Sequence, residues 1–251
     1  MKTATILPPK YLPLISGHVY HMCLAHLIKD FTYDPYTAFY REQAKKGNYV
    51  IMDNGVIEGD QRPIEEIVKK ALSVGANEII LPDVMLDQAA TLDASYKALK
   101  WVKDNFPLKV MVVPQGKDLD EWIGCAIAMI DWDIDCIGIP KILTKLGGRD
   151  ARLEVLSRLG NKLRGLDIHL LGCWNSALEL TMIERAAQDK QIRPVRGVDS
   201  ALPFIYAKAG VQIDESDRPN VSIDFNETDV DERLIETNIR LWKDAATINL
   251  I

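Results

Sequence analysis

Short runs of uninterrupted apolar residues alternate along this chain with longer stretches in which apolar positions recur every three or four residues. The short runs are "HVYHMCL" (18–24), "YVIMDN" (49–54), "EIILPD" (78–83), "KVMVVPQG" (109–116), "CIGIP" (136–140), "DIHLLGC" (167–173) and "RGVDS" (196–200). Each reads as a strand covered on both faces. "VSIDF" (221–225) is expected to be the last strand, with 18–24 the first. The periodic stretches read as helices. Residues 63–74 open with Pro63, align Ile64, Ile67, Val68, Ala71 and Leu72 on one face, and stop at Gly75. Asp87 and Asp118 each precede a further amphipathic stretch, the first carrying Leu92, Tyr96, Leu99 and Val102, the second Trp122, Ile123, Ala126, Ile127 and Ile130. Asp34 and Pro35 open another with Tyr36, Phe39 and Tyr40, and residues 231–244 put Leu234, Ile235, Ile239 and Trp242 on a stripe.

Eight strands with seven or eight helices between and after them, at a tip spacing of roughly 25 to 33 residues, predict a (β/α)8 barrel spanning 1–251 as one domain. The competing architecture, a doubly wound sheet, is weakened because no glycine-rich nucleotide fingerprint follows any strand. In a barrel the C-terminal strand tips converge on one mouth, and that ring would hold Asp53, Asp83, Gln115, Gly138, Gly172 and Asp199. A single aspartate after a strand is most simply a helix cap or turn former. Asp53, followed by Asn54 and Gly55, fits a turn by itself. Three carboxylates and an amide aimed at one cavity are costly unless something uses them.

Composition narrows the picture further. With 47% hydrophobic and 26% charged residues the chain is of ordinary globular type. No apolar run approaches the ~20 residues of a membrane span, and the proline-broken N-terminal stretch makes a poor signal peptide, so a cytoplasmic protein is expected. Cys23, Cys125, Cys136 and Cys173 form no C-x-x-C pair and are expected to be buried thiols. A net charge of −6 argues against a surface built for indiscriminate phosphate binding.

Several of these segments, in order, resemble those of the tRNA-guanine transglycosylase superfamily. "MDNGVIE" resembles its Asp-Ser-Gly-Gly-Phe-Gln segment, "VVPQGKDLDEW" its Val-Gln-Gly-Gly segment and "VDSALP" the Phe-Asp-Cys-Val-Leu-Pro segment that carries its nucleophile. "GHVYHM", "LPDV" and "LLGCWNSALEL" match more weakly, and the set covers roughly residues 17 to 203. The resemblance implies base exchange at a glycosidic carbon. Asp199 would be the covalent nucleophile and Asp53 the acid and base for the departing and incoming purine. Asp83 and Gln115 would read the edge of a guanine-like base, with Asn54, Gly116, Gly138 and Gly172 around it. Glu58 stands where the family has a Gln near the 7-substituent of the base. Tyr20 and Tyr206 read as core or rim residues with a base-stacking alternative.

The chain departs from the family after Asp199, where there is neither Cys nor His to build the family's zinc cluster, and only Lys208 stands in for its arginine-rich stretch. No metal or other cofactor is therefore expected. These departures make the chain more similar to the compact relatives of bacteria and their viruses that insert 7-deazaguanine bases into DNA, so the expected partners are DNA rather than tRNA and a 7-deazaguanine-type base. Two other classes stay open. One is an N-glycosidase that hands the sugar of a guanine nucleoside or nucleotide to water. The other is a Schiff-base or phosphosugar barrel using Lys141 as the amine and the "LGGRD" run (146–150) as a phosphate loop.

Overall fold

The computed structural model describes residues 1–29, 34–57, 59, 62–173, 177–214 and 218–248. Its strands are β1 (Lys2–Thr5), β2 (Tyr20–Leu24), β3 (Tyr49–Asp53), β4 (Glu78–Ile80), β5 (Lys109–Val112), β6 (Cys136–Pro140), β7 (Asp167–Leu171) and β8 (Gly197–Ser200). They form one parallel sheet in the order β1-β8-β7-β6-β5-β4-β3-β2. β1 and β2, its two ends, lie side by side and bring the sheet nearly to closure, so the expected (β/α)8 barrel is the fold.

The strand membership differs from the sequence reading at both ends. The eighth member of the ring is Lys2–Thr5, paired with Gly197–Ser200, and not residues 221–225. A four-residue strand is too short to show a period, and the prolines that follow it disguise it as a loop. Residues 221–225 do alternate apolar and polar, but with β1 on the outer edge of β8 no ladder position is left for them. They run as irregular chain, and Ile223 and Phe225 face the barrel mouth.

Helices follow the strands: α1 (Pro35–Lys45), α2 (Ile64–Val74), α3 (Gln88–Asn105), α4 (Leu119–Ile130), α5 (Leu143–Gly147), α6 (Ala151–Leu159), α7 (Leu178–Gln188), α8 (Leu202–Lys208) and α9 (Glu232–Ala245). Local chemistry sets their ends. Side chains of Asp34, Asp87, Asp118 and Asp231 accept from the backbone N–H groups of Thr37, Ala90, Glu121 and Leu234, satisfying donors that an open first turn leaves free. α2 stops at Gly75, whose φ of 74° is left-handed. The buried faces are rotated slightly from the expected stripes. Tyr96 on α3, Ile127 on α4 and Leu72 on α2 are exposed, while Ser95, Cys125 and Met129 are inside. Tyr96 instead packs edge-on against Trp132, with ring centres 5.3 Å apart.

All four cysteines are buried thiols, as expected. Among the described residues no helix is long and apolar enough to cross a membrane.

Candidate active site

The aspartates of this chain fall into two groups by environment. Asp34, Asp87, Asp118 and Asp231 sit at helix starts and do capping work. Asp53, Asp83 and Asp199 sit at or just beyond strand tips and line a single cavity of about 310 Å³ at the C-terminal mouth of the barrel. That volume is at the lower end of small-molecule sites. Asn54, Gln115, Lys141, Gly172, Ser200 and Arg218 supply the rest of its polar lining, and Met22, Ile80, Val113 and Leu171 are among its apolar walls.

On one wall Asp83 is held from both sides. Asn54 Nδ2 donates to Oδ1 at 2.8 Å, and Gln115 Nε2 donates to Oδ2 at 2.6 Å. Gln115 is itself oriented, because its Oε1 accepts from the Leu86 backbone N–H at 3.2 Å. Leu86 takes a φ of 61°, uncommon for a residue with a side chain, and this places its N–H at the amide. Asn54 likewise donates to the Leu81 carbonyl at 2.8 Å. Burial raises the Asp83 carboxyl to about 6, against the opposing pull of the two amide donors. Such a group can hold or release a proton near neutral pH and can accept hydrogen bonds from a bound base.

Across the cavity Asp199 is buried at the tip of β8. Its Oδ1 accepts from the Gly172 N–H at 3.2 Å and lies 3.0 Å from His169 Nε2. Gly172 has a φ of 68°, a left-handed conformation that favours glycine, and a Cβ there would press on the flexible Lys141 side chain. The Gly172 carbonyl is gripped from behind by Arg152, whose Nη1 donates to it at 2.8 Å. Arg152 is fully buried and makes a two-pronged ion pair with Glu179 on α7, its Nε at 2.7 Å and its Nη2 to the second oxygen. Asp53 Oδ2 accepts from the Gly55 N–H at 3.0 Å, so this aspartate is at once a turn former and a cavity wall.

The cavity thus unites Asp53, Asn54, Asp83, Gln115, Gly172, Asp199 and Lys141 among the residues singled out in the sequence. Gly138 and Gly116 do not line it. A Cβ on Gly138 would meet Leu171, Met111 and Val113 inside the barrel, and one on Gly116 would strike the first turn of α4. Gly138 within β6 and Gly116 in the loop before α4 both face packed neighbours, so they serve close approach of protein to protein. Gly147 and Gly148 of the 146–150 run also stand apart from the lining. Tyr206 is core, and Tyr20 is buried below the mouth. Glu58 lies outside the described residues, as do 174–176 of the sixth resembling segment.

Tip-counting missed His169, Arg152 and Arg218. His169 carried a usable signal, being an imidazole in an otherwise apolar strand. Arg152 carried none, since an arginine in an amphipathic helix is ordinarily exposed. Among the described residues no three His, Cys, Asp or Glu side chains converge as a metal ligand set.

No family model matches the chain, and no curated protein matches it in sequence. Solved structures do match in fold. D-Psicose 3-epimerase from Clostridium cellulolyticum H10, determined with D-tagatose, aligns over 99% of both chains at 11% identity with a TM-score of 0.55. Phosphoribosyl anthranilate isomerase from Thermococcus kodakaraensis covers 96% of this chain and 97% of its own at 14% identity and a TM-score of 0.51. A monomeric dihydrodipicolinate synthase variant covers 84% of this chain and 72% of its own at 14% identity and 0.52. At such identities the likeness carries the barrel architecture and nothing about substrate.

Proposed function

We propose that the chain is an enzyme of base exchange, replacing guanine in DNA by a 7-deazaguanine-type base through an aspartyl-sugar intermediate. The observation that carries this reading is the division of labour across one cavity: an amide-clamped Asp83 on one wall, and Asp199, anchored through one oxygen, on another. A guanine edge presents N–H groups to Asp83 and a carbonyl to the amide of Gln115, which would leave its present bond to do so. Asp199 attacks C1′ of the nucleotide and the C1′–N9 bond breaks. Its electron pair goes to N9, which takes a proton from the Asp53 carboxyl. The incoming base then loses its ring proton to Asp53, and its nitrogen attacks C1′ and expels the Asp199 carboxylate. The reacting nucleotide would have to leave the base stack to enter the barrel mouth.

DNA is preferred to tRNA because the stretch after Asp199 lacks the family's arginines, and its one lysine, Lys208, is paired with Glu227 at 2.8 Å. The test is incubation with labelled guanine and duplex DNA, single-stranded DNA, tRNA or guanosine. Label entering DNA supports the reading, whereas release of free guanine without uptake of label identifies a glycosidase.

A second reading has one observation in its favour. Lys141 lines the same cavity directly after β6, and an amine there could form a Schiff base with a carbonyl substrate. Borohydride trapping of a carbonyl compound on the peptide containing Lys141 would establish it.

A further inference from the structure

The strands' N-terminal ends carry a polar column that begins at the half-exposed Asp167 and the largely buried Arg196 and connects upward through buried Tyr20 and His169 to Asp199. Arg196, just before β8, donates from Nη2 to Glu78 at 2.7 Å, from Nη1 to Asp167 at 3.1 Å and from Nε to the Tyr20 hydroxyl at 3.1 Å. Tyr20 Oη lies 2.8 Å from His169 Nδ1, and His169 Nε2 lies 3.0 Å from Asp199 Oδ1. Gly197 makes the column possible, since a Cβ there would stand 2.6 Å from the Tyr20 ring.

The direction of this chain follows from donor chemistry. A guanidinium has no acceptor, so Tyr20 must receive from Arg196. Its one hydroxyl proton is then free to point at His169 Nδ1, and burial keeps the phenol protonated. With Nδ1 accepting, the ring proton sits on Nε2 and faces Asp199. Both hydrogen bonds of Asp199 converge on Oδ1, and among the described residues Oδ2 receives none.

We infer that His169 is a positioning residue for the proposed nucleophile: oriented by Tyr20, it donates from Nε2 to Asp199 Oδ1, fixing the carboxylate so that Oδ2 is the atom presented to C1′. This inference rests on the base-exchange reading. Oδ2 forms the bond to C1′, the C1′–N9 electron pair leaves on the base, and His169 keeps its proton throughout.

The test uses the full chain with DNA and labelled base, comparing His169→Phe, His169→Gln and Tyr20→Phe, each checked for folding by circular dichroism and for guanine affinity. His169→Phe keeps ring volume and removes the donor. Its kcat should fall about 100-fold, the scale on which a misplaced reacting group loses rate, with guanine Kd unchanged. His169→Gln, whose amide N–H can reach the place of Nε2, should recover part of the loss. Independently of turnover, ¹⁵N spectra should show the His169 proton on Nε2 with Nδ1 accepting, and Tyr20→Phe should weaken that preference. Wild-type rate in His169→Phe, equal loss in the Phe and Gln variants, or a proton on Nδ1 alone overturns the inference. If the wild-type chain neither exchanges base nor forms an adduct, the base-exchange reading itself falls, whatever the spectra show.

Discussion

Asp83→Asn offers a test of the site that needs no substrate. The carboxyl is buried between two amide donors, and burial lifts it from 3.8 to about 6. A folded-state value above the unfolded one means that the folded chain binds more protons between pH ~4 and ~6, so this group's contribution to stability is lost as pH rises through that window. A displacement of about two units corresponds to roughly 3 kcal/mol, an order-of-magnitude figure, because one unit is about 1.4 kcal/mol. Asparagine fills the same space without titrating. It faces the Gln115 amide with the wrong group at one position, which costs about 1 kcal/mol independently of pH. The informative quantity is therefore the slope. Urea unfolding of wild type and variant at intervals from pH 4 to pH 8 should show the variant gaining on wild type by about 2 to 3 kcal/mol across the range. A difference that stays flat, or one that moves toward wild type as pH rises, would refute the account of Asp83 as a carboxylate held ionised at a cost to folding.

Asp199→Asn should retain guanine binding while base exchange falls by several orders of magnitude, since covalent catalysis would be lost outright; rate assays beside equilibrium binding decide this. Gln115→Ala and Asp83→Ala should each weaken guanine affinity by one to two orders of magnitude, as expected for about 1 to 3 kcal/mol per unpaired buried partner; unchanged Kd in both would remove the base-edge assignment. Arg152→Met should lower thermal stability sharply, because it strands the Glu179 carboxylate in a buried setting, and loss of one partner of such a pair costs about 3 to 5 kcal/mol. Elemental analysis of the purified chain should find no stoichiometric zinc, and chelators should leave its folding unchanged.

The alternation of apolar runs with helical periodicity determined the barrel, because strands buried on both faces and helices buried on one leave different periods in a sequence. Strand tips followed from it, and with them Asp53, Asp83, Gln115 and Asp199 as neighbours in one mouth. Periodicity did not determine which segment closes the ring. Lys2–Thr5 is too short to show a period while residues 221–225 alternate like a strand, yet it is Lys2–Thr5 that pairs with β8, a contact between residues nearly 200 apart in the chain. Periodicity did separate Asp87 and Asp118, which precede amphipathic stretches and cap helices, from Asp83 and Asp199 at strand tips, but it could not say what surrounds each carboxylate after folding. Gly138 lies in the middle of β6 and Gly116 in the loop beyond β5, so they meet packed side chains and the start of α4 and not the cavity. His169, Tyr20 and Arg196 are separated by up to 176 residues, and only the register of β2, β7 and β8 stacks them beneath Asp199. Local pattern encodes the elements, whereas hydrogen bonds between distant strands exist only once the barrel has closed.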